Sequence, residues 1–125
     1  MKFKFATVID CIDGRIQKPI AEFAINKFSV DHVDLITEPG ADKVLSENKA
    51  LDIIGSIKRR TLISVEKHES KIVIIAGHHD CAVNPVEAGE HRRQIMEAVK
   101  KIKKWDLKAD VYGVWVDKNW EAELV

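Results

Sequence analysis

The sequence has 125 residues, enough for one domain that hides roughly two-thirds of its unfolded surface on folding, so neither a disulfide nor a metal is needed to hold a core together. Lys plus Arg and Asp plus Glu stand at 20 each, which leaves no electrostatic footprint for nucleic acid or an anionic membrane, and no apolar run approaches the roughly 18 residues of a membrane span. The start Met1-Lys2-Phe3-Lys4-Phe5 alternates charge and aromatic without an export signal, so Cys11 and Cys81 read as thiols or metal ligands in a reducing, cytoplasmic setting.

In chain order, residues 2–10 predict a first strand that runs into a buried sheet position at Ala6-Thr7-Val8-Ile9. Pro19 in a first turn, with Ile20, Phe23, Ala24 and Phe28 at three- and four-residue spacing, predicts a helix from about Lys18 to Phe28. His32-Val33-Asp34-Leu35-Ile36 is a second strand, stopped by the turn residues Glu38-Pro39-Gly40-Ala41. One or two helices then carry Leu45, Leu51, Ile54, Ile57, Leu62 and Val65 to about His68. The unbroken run Ile72-Val73-Ile74-Ile75-Ala76 is the mark of a central parallel strand covered on both faces. Asn84-Pro85-Val86-Glu87 offers an N-cap, a first-turn proline and a capping-box glutamate for a helix reaching about Lys104. Asp110 to Val116 is a fourth strand, and Asp117-Lys118-Asn119 turns it into a short last strand at Trp120–Val125. The basic runs at Lys58-Arg59-Arg60 and Lys100-Lys101-Ile102-Lys103-Lys104 read as solvated helix faces.

Alternating strands and helices imply a three-layer α/β domain over residues 1–125, with a mainly parallel sheet in the order 2-1-3-4 and a short C-terminal strand. The chain then reverses direction between strands one and three, the place where open α/β sheets bind ligands. Cys11 leaves the first of these strands, and His78 and Cys81 leave the other. Two thiolates and an imidazole suit zinc, and three protein ligands leave a fourth position open, which favours catalysis over scaffolding. His79 and Asp80 are second choices as ligands.

The paired patterns Cys11-x-Asp13-x-Arg15 and His78-x-x-Cys81, each after a parallel strand, resemble the β-class carbonic anhydrases, and the order of strands and helices follows that family over nearly the whole chain. The resemblance implies that Cys11, His78 and Cys81 hold Zn2+. It implies that Asp13 and Arg15 form the catalytic dyad beside the metal. His79, next to a ligand position, reads as a solvated loop histidine or, alternatively, as a proton shuttle. By the same resemblance the substrate is carbon dioxide, attacked by a zinc-bound hydroxide to give bicarbonate, and the protein is a homodimer or larger homo-oligomer. Tyr112, Trp115 and Trp120 could pack against another copy or belong to the chain's own core.

Two places depart from the family pattern: Ala82 stands where a glycine usually follows the second cysteine, and Glu38-Pro39-Gly40-Ala41 replaces an Arg-Asn-Ala-Gly stretch. Alternatives are a related zinc hydrolase acting on carbonyl sulfide or carbon disulfide, and a non-catalytic zinc or thiol sensor. The sequence speaks against a cysteine phosphatase, because the arginine its phosphate loop needs six residues after the nucleophile is Gln17 here. Two thiolates neutralise the charge of the zinc and raise the pKa of its water relative to an all-histidine site. Any hydration activity is therefore expected to climb toward alkaline pH, and a profile that stays flat between about pH 6 and 9 in stopped-flow assays contradicts this reading.

Overall fold

Residues 3–125 are described by this computed structural model. They form β1 (Phe5–Asp10), α1 (Gly14–Phe28), β2 (His32–Thr37), α2 (Ala41–Glu47), α3 (Leu51–Lys67), β3 (Ile72–His78), α4 (Ala88–Lys103), β4 (Asp110–Val116) and β5 (Ala122–Leu124). The sheet order is β2-β1-β3-β4-β5. The first four strands are parallel, and β5 returns antiparallel to β4. The expected three-layer α/β architecture and the reversal between β1 and β3 are both present.

Alternation along the central strands divides the core. Ile9, Val73 and Ile75 point into a cluster with Leu45, Ile54, Ile57, Ala98 and Ile102 from α2, α3 and α4. Ala6, Val8, Ile74 and Ala76 point the other way, onto Ile16, Ile20 and Ala24 of α1. Both faces of β1 and β3 are thus dry, which is why these strands read as branched apolar runs and not as alternating ones. The buried hydroxyl of Thr7, in mid-strand, is satisfied by Ser64 and Ser70 at 2.6 and 2.8 Å. No helix among the described residues is long and apolar enough to cross a membrane.

Four boundaries differ from the sequence reading. The last strand, expected at Trp120–Val125, is Ala122–Leu124. α1 starts at Gly14, because Asp13 caps it by accepting from the Arg15 N–H at 2.9 Å. Pro19 therefore lies inside the helix, and the turn expected to open at Lys18 is its second. α4 starts at Ala88, not at Pro85: the Asn84 side chain is turned inward, its Nδ2 donating to Asp42 and Gln94, and the N-cap position falls to Glu87. The expected strand from residue 2 begins at Phe5; its first position lies outside the described residues. The stretch left as one or two helices is two, broken at Asn48 with φ 55°.

The aromatics also resolve. Trp115 is buried, Tyr112 packs against Phe28, and Tyr112 and Trp120 both border the α1-side core, so all three belong to the chain's own fold.

α4 lies so close to β4 that a Cβ on Gly113 would stand 2.5 Å from Ile95 Cγ2 and 3.3 Å from Val99 Cγ2. Gly113→Ala should therefore destabilise the fold by about 1–3 kcal/mol, read as a lower urea midpoint at unchanged slope.

Candidate metal centre

The pairing of β1 with β3 (Val8 beside Ile74, Ile9 beside Ile75) brings the two strand ends level. Cys11 follows the last residue of β1, and His78 is the last residue of β3. Cys81 comes back over the same spot after the turn at His79 and Asp80, where Asp80 takes φ 60°. All three side chains are buried, and their donor atoms lie within 4.8 Å of one another. Among the described residues this is the one such cluster.

The geometry matches a zinc site. Two thiolates bound tetrahedrally at about 2.3 Å lie roughly 3.8 Å apart, and Cys11 Sγ and Cys81 Sγ are 3.9 Å apart. His78 Nδ1 donates to the His79 carbonyl at 2.8 Å, the contact that fixes a ligating imidazole with its other nitrogen unprotonated. That other nitrogen, Nε2, is buried with no hydrogen-bond partner. Both cysteines are free thiols.

The sulfurs are electrically unequal. Burial resists ionisation of Cys11, but the His78 imidazole and the backbone N–H groups of Gly40 and Asp13 outweigh it and bring the thiol down to about 7. Burial and the neighbouring Cys11 push Cys81 up. Without metal, Cys11 is therefore the sulfur that ionises first, and its charge in turn pulls His78 upward against the effect of burial.

Asp13 and Arg15 form a tight pair at the mouth. Arg15 Nη2 donates to Asp13 Oδ2 at 2.7 Å, and its Nε donates to both carboxylate oxygens at 3.1 and 3.2 Å. This fork holds the Asp13 carboxyl down at about 2. Arg15 also reaches Asp80, donating to its carboxylate at 3.2 Å and its carbonyl at 3.1 Å, and it lies 4.8 Å over the Trp120 ring. The opposite contact of Trp120 is the His78 ring, stacked at 6.0 Å. Asp117 shapes the turn that delivers Trp120, accepting from the Asn119 and Glu121 N–H groups.

Of the residues singled out from sequence, Cys11, His78 and Cys81 converge and Asp13 and Arg15 stand beside them. His79 and Asp80 are exposed, outside the cluster; His79 contributes its carbonyl to His78 and Asp80 its carboxylate to Arg15. α4 starts too late to aim its positive end at Cys81; the Val83 and Asn84 N–H groups face that sulfur instead.

Sequence reasoning missed three contributors. Gln17 ties the Cys11 loop by donating to the Cys11 and Asp13 carbonyls at 2.7 and 2.9 Å. Gly40 supplies an N–H to Cys11 from the loop where the family pattern fails. Asp10 is fully buried, and neither carboxylate oxygen has a hydrogen-bond partner. The one signal for Asp10 was an acidic residue closing an apolar strand.

A parallel α/β sheet with a Cys-His-Cys cluster at its switch point and an Asp-Arg pair at the rim defines a β-carbonic anhydrase-like protein. The sequence matches, over residues 1–125, the model of the family described as "Putative carbonic anhydrase", and the chain belongs to that family, whose described activity is that of a lyase. Among solved structures, the β-carbonic anhydrase isoform I of Trichomonas vaginalis is similar, with a TM-score of 0.60 and 14% identity, over 94% of this chain and 80% of that one. The β-carbonic anhydrase CafA of Aspergillus fumigatus aligns with a TM-score of 0.47 and 12% identity, over 95% and 74% of the two chains. At these identities the likeness concerns the fold. Comparison with curated proteins finds no match.

Burial raises the Asp10 carboxyl from 3.8 to about 8, Cys11 adding to the effect and His78 opposing it. The folded state thus holds a proton that the unfolded chain releases. Stability of the metal-free protein is full below about pH 4 and falls as pH rises toward about 8, where the folded-state carboxyl ionises. Asp10→Asn should remove that loss: in chelator-treated protein, the urea midpoint of the wild type should drop relative to the variant across this window, and parallel curves would show that Asp10 is not protonated on folding.

Proposed function

We propose that residues 1–125 act as one zinc-binding domain that hydrates carbon dioxide to bicarbonate, with Cys11, His78 and Cys81 as the metal ligands and Asp13 and Arg15 as the catalytic pair. The observation that carries this reading is the convergence of three buried donors from two loops, with the Cys11 and Cys81 sulfurs 3.9 Å apart and a buried, unpartnered His78 Nε2. Family membership and the β-carbonic anhydrase-like fold support the choice of substrate. Zinc held there supplies a Lewis acid that brings a coordinated water toward ionisation near neutral pH.

The protein's own groups have distinct tasks. Asp13, kept ionised by Arg15, accepts a hydrogen bond from the attacking water and orients its lone pair toward the carbon of the substrate. Arg15 holds that carboxylate in its fork and away from the three donors, which keeps a fourth coordination position open. Its additional bonds to Asp80 and its seat on Trp120 resist the swing that would release Asp13. His79 is exposed beside the ligands, a position from which it would carry the product proton to solvent. The same arrangement would serve carbonyl sulfide or carbon disulfide.

The cytoplasm is the proposed setting, since two thiols this close persist as ligands where the medium is reducing. A homodimer or larger assembly is proposed too, on the support of Ile12 and Val83, which are 63% and 51% exposed beside the two ligand loops. Light scattering at a single-chain mass would refute the assembly.

Metal analysis by mass spectrometry should give one equivalent of zinc in the wild type and near none in Cys11→Ser. Stopped-flow hydration of carbon dioxide by the zinc-loaded protein should fall by roughly a hundredfold or more in Asp13→Ala. Zinc without turnover above that variant would turn the reading toward a binding or sensing domain, and a metal-free wild type would overturn the site itself.

A further inference from the structure

Behind the Cys81 loop lies a buried polar cluster that the chemistry described above does not use. Asp42 comes from α2, Asn84 from the loop, and His91 and Gln94 from α4, and all four are buried. His91 Nδ1 donates to Asp42 Oδ2 at 2.6 Å, in a pair that is 1% and 3% exposed. Asn84 Nδ2 donates to Gln94 Oε1 at 2.7 Å and to Asp42 Oδ1 at 3.2 Å, and the Lys43 N–H completes that oxygen at 2.9 Å. The Trp115 ring, 5.1 Å from the imidazole, closes one side.

Such a cluster is a poor way to gain stability. An apolar set of the same volume is often as stable or more so, and here His91 Nε2 is buried without a partner, whereas the hydrogen bonds that are made fix one geometry. The geometry enforced here is that of the metal ligands. Asn84 donates its N–H to the Cys81 carbonyl at 3.3 Å and faces the Cys81 sulfur, and its carbonyl accepts from Val86 at 2.9 Å, so the loop is fastened at its midpoint. On the other side, Asp42 Oδ2 stands 2.4 Å from where a Cβ on Gly77 would be, pressed against the residue before His78. One carboxylate therefore touches the backbone beside one ligand and, through Asn84, holds the loop of another.

We propose that Asp42, Asn84, His91 and Gln94 form a positioning clamp that locks the Cys81 loop onto the end of β3, keeping the Cys81 sulfur buried and at ligand distance from Cys11 and His78. Its consequence for metal affinity rests on the zinc reading above. The locking of the loop does not.

The test separates the two. In chelator-treated protein at one pH, the alkylation rates of Cys11 and Cys81 by iodoacetamide are resolved by peptide mass spectrometry, alongside the urea midpoint. In His91→Leu, Cys81 should react at least about tenfold faster with Cys11 changed by less than about threefold, and His91→Asn, which keeps a donor near Nδ1, should restore most of the protection. Equal acceleration of both thiols in step with lost stability, or no change at Cys81, overturns the clamp. Should His91→Leu not fold, Asn84→Asp serves, since it keeps the size and replaces the donor with an acceptor facing two acceptors. Zinc dissociation constants from chelator competition should weaken by about ten- to a hundredfold in the same variants. An unchanged constant with a freed Cys81 refutes the link to affinity, and a wild type that binds no zinc refutes the zinc reading while the thiol rates still decide the clamp.

Discussion

The pairing of β1 with β3 is the constraint on which the rest depends. Residues five to ten and 72 to 78 are far apart in the chain, and only the crossover that sets these strands side by side, with Ile9 level with Ile75, brings Cys11 within 3.9 Å of Cys81. That pairing is stabilised by dry layers on both faces, α1 on one side and α2 to α4 on the other. Burying a Val or Ile in each layer contributes about 1.5–3 kcal/mol against its exposed state, and the two strands supply five such buried positions, Val8, Ile9, Val73, Ile74 and Ile75, with Thr7 and Asp10 the buried polar side chains of β1. The site is therefore at the end of the stiffest part of the molecule, where a donor set needs little further ordering to bind metal.

Much of this was legible. The run Ile72-Val73-Ile74-Ile75-Ala76 admits a central parallel strand and little else, and strand-helix alternation with right-handed crossovers fixes the order once that strand is central. The three donors followed from topology combined with residue type. What could not be read was every contact made by a side chain with two plausible partners. Asn84 before a proline is a good N-cap by local rules, yet the fold takes its amide for Asp42 and Gln94, forty-two and ten residues away. Asp13 is the reverse case: a polar residue singled out for its place in a motif also caps α1, so the helix begins five residues before the proline expected in its first turn.

Arg15 shows why the loops cannot be treated separately. It is bound to Asp13 on the Cys11 side and to Asp80 on the Cys81 side, and its guanidinium rests on a tryptophan that also covers His78. Half exposed, its ion pairs contribute little to stability. Their effect is on geometry: the carboxylate that could close the metal site is held by a residue whose other anchors belong to the opposite loop and to the β4–β5 turn. Movement of any one of these three segments thus changes how firmly Asp13 is kept at the rim.

The two buried aspartates mark the opposite ends of this design. Asp42 is a carboxylate with partners on both oxygens, and satisfied in that way it acts as a rigid spacer behind Gly77. Asp10 is buried as deeply, one residue from Cys11, with neither oxygen engaged. A leucine or valine there would leave β1 more stable, by the asymmetry that makes an unsatisfied polar group cost about 1–3 kcal/mol where its apolar replacement costs nothing. The apolar layers around β1 and β3 offset that cost. Placing the unsatisfied group against Cys11 and His78 and the satisfied one behind them keeps the rigid scaffold and the electrically responsive centre on separate residues, so the field at Cys11 and His78 is free to change without loosening the strands that hold them.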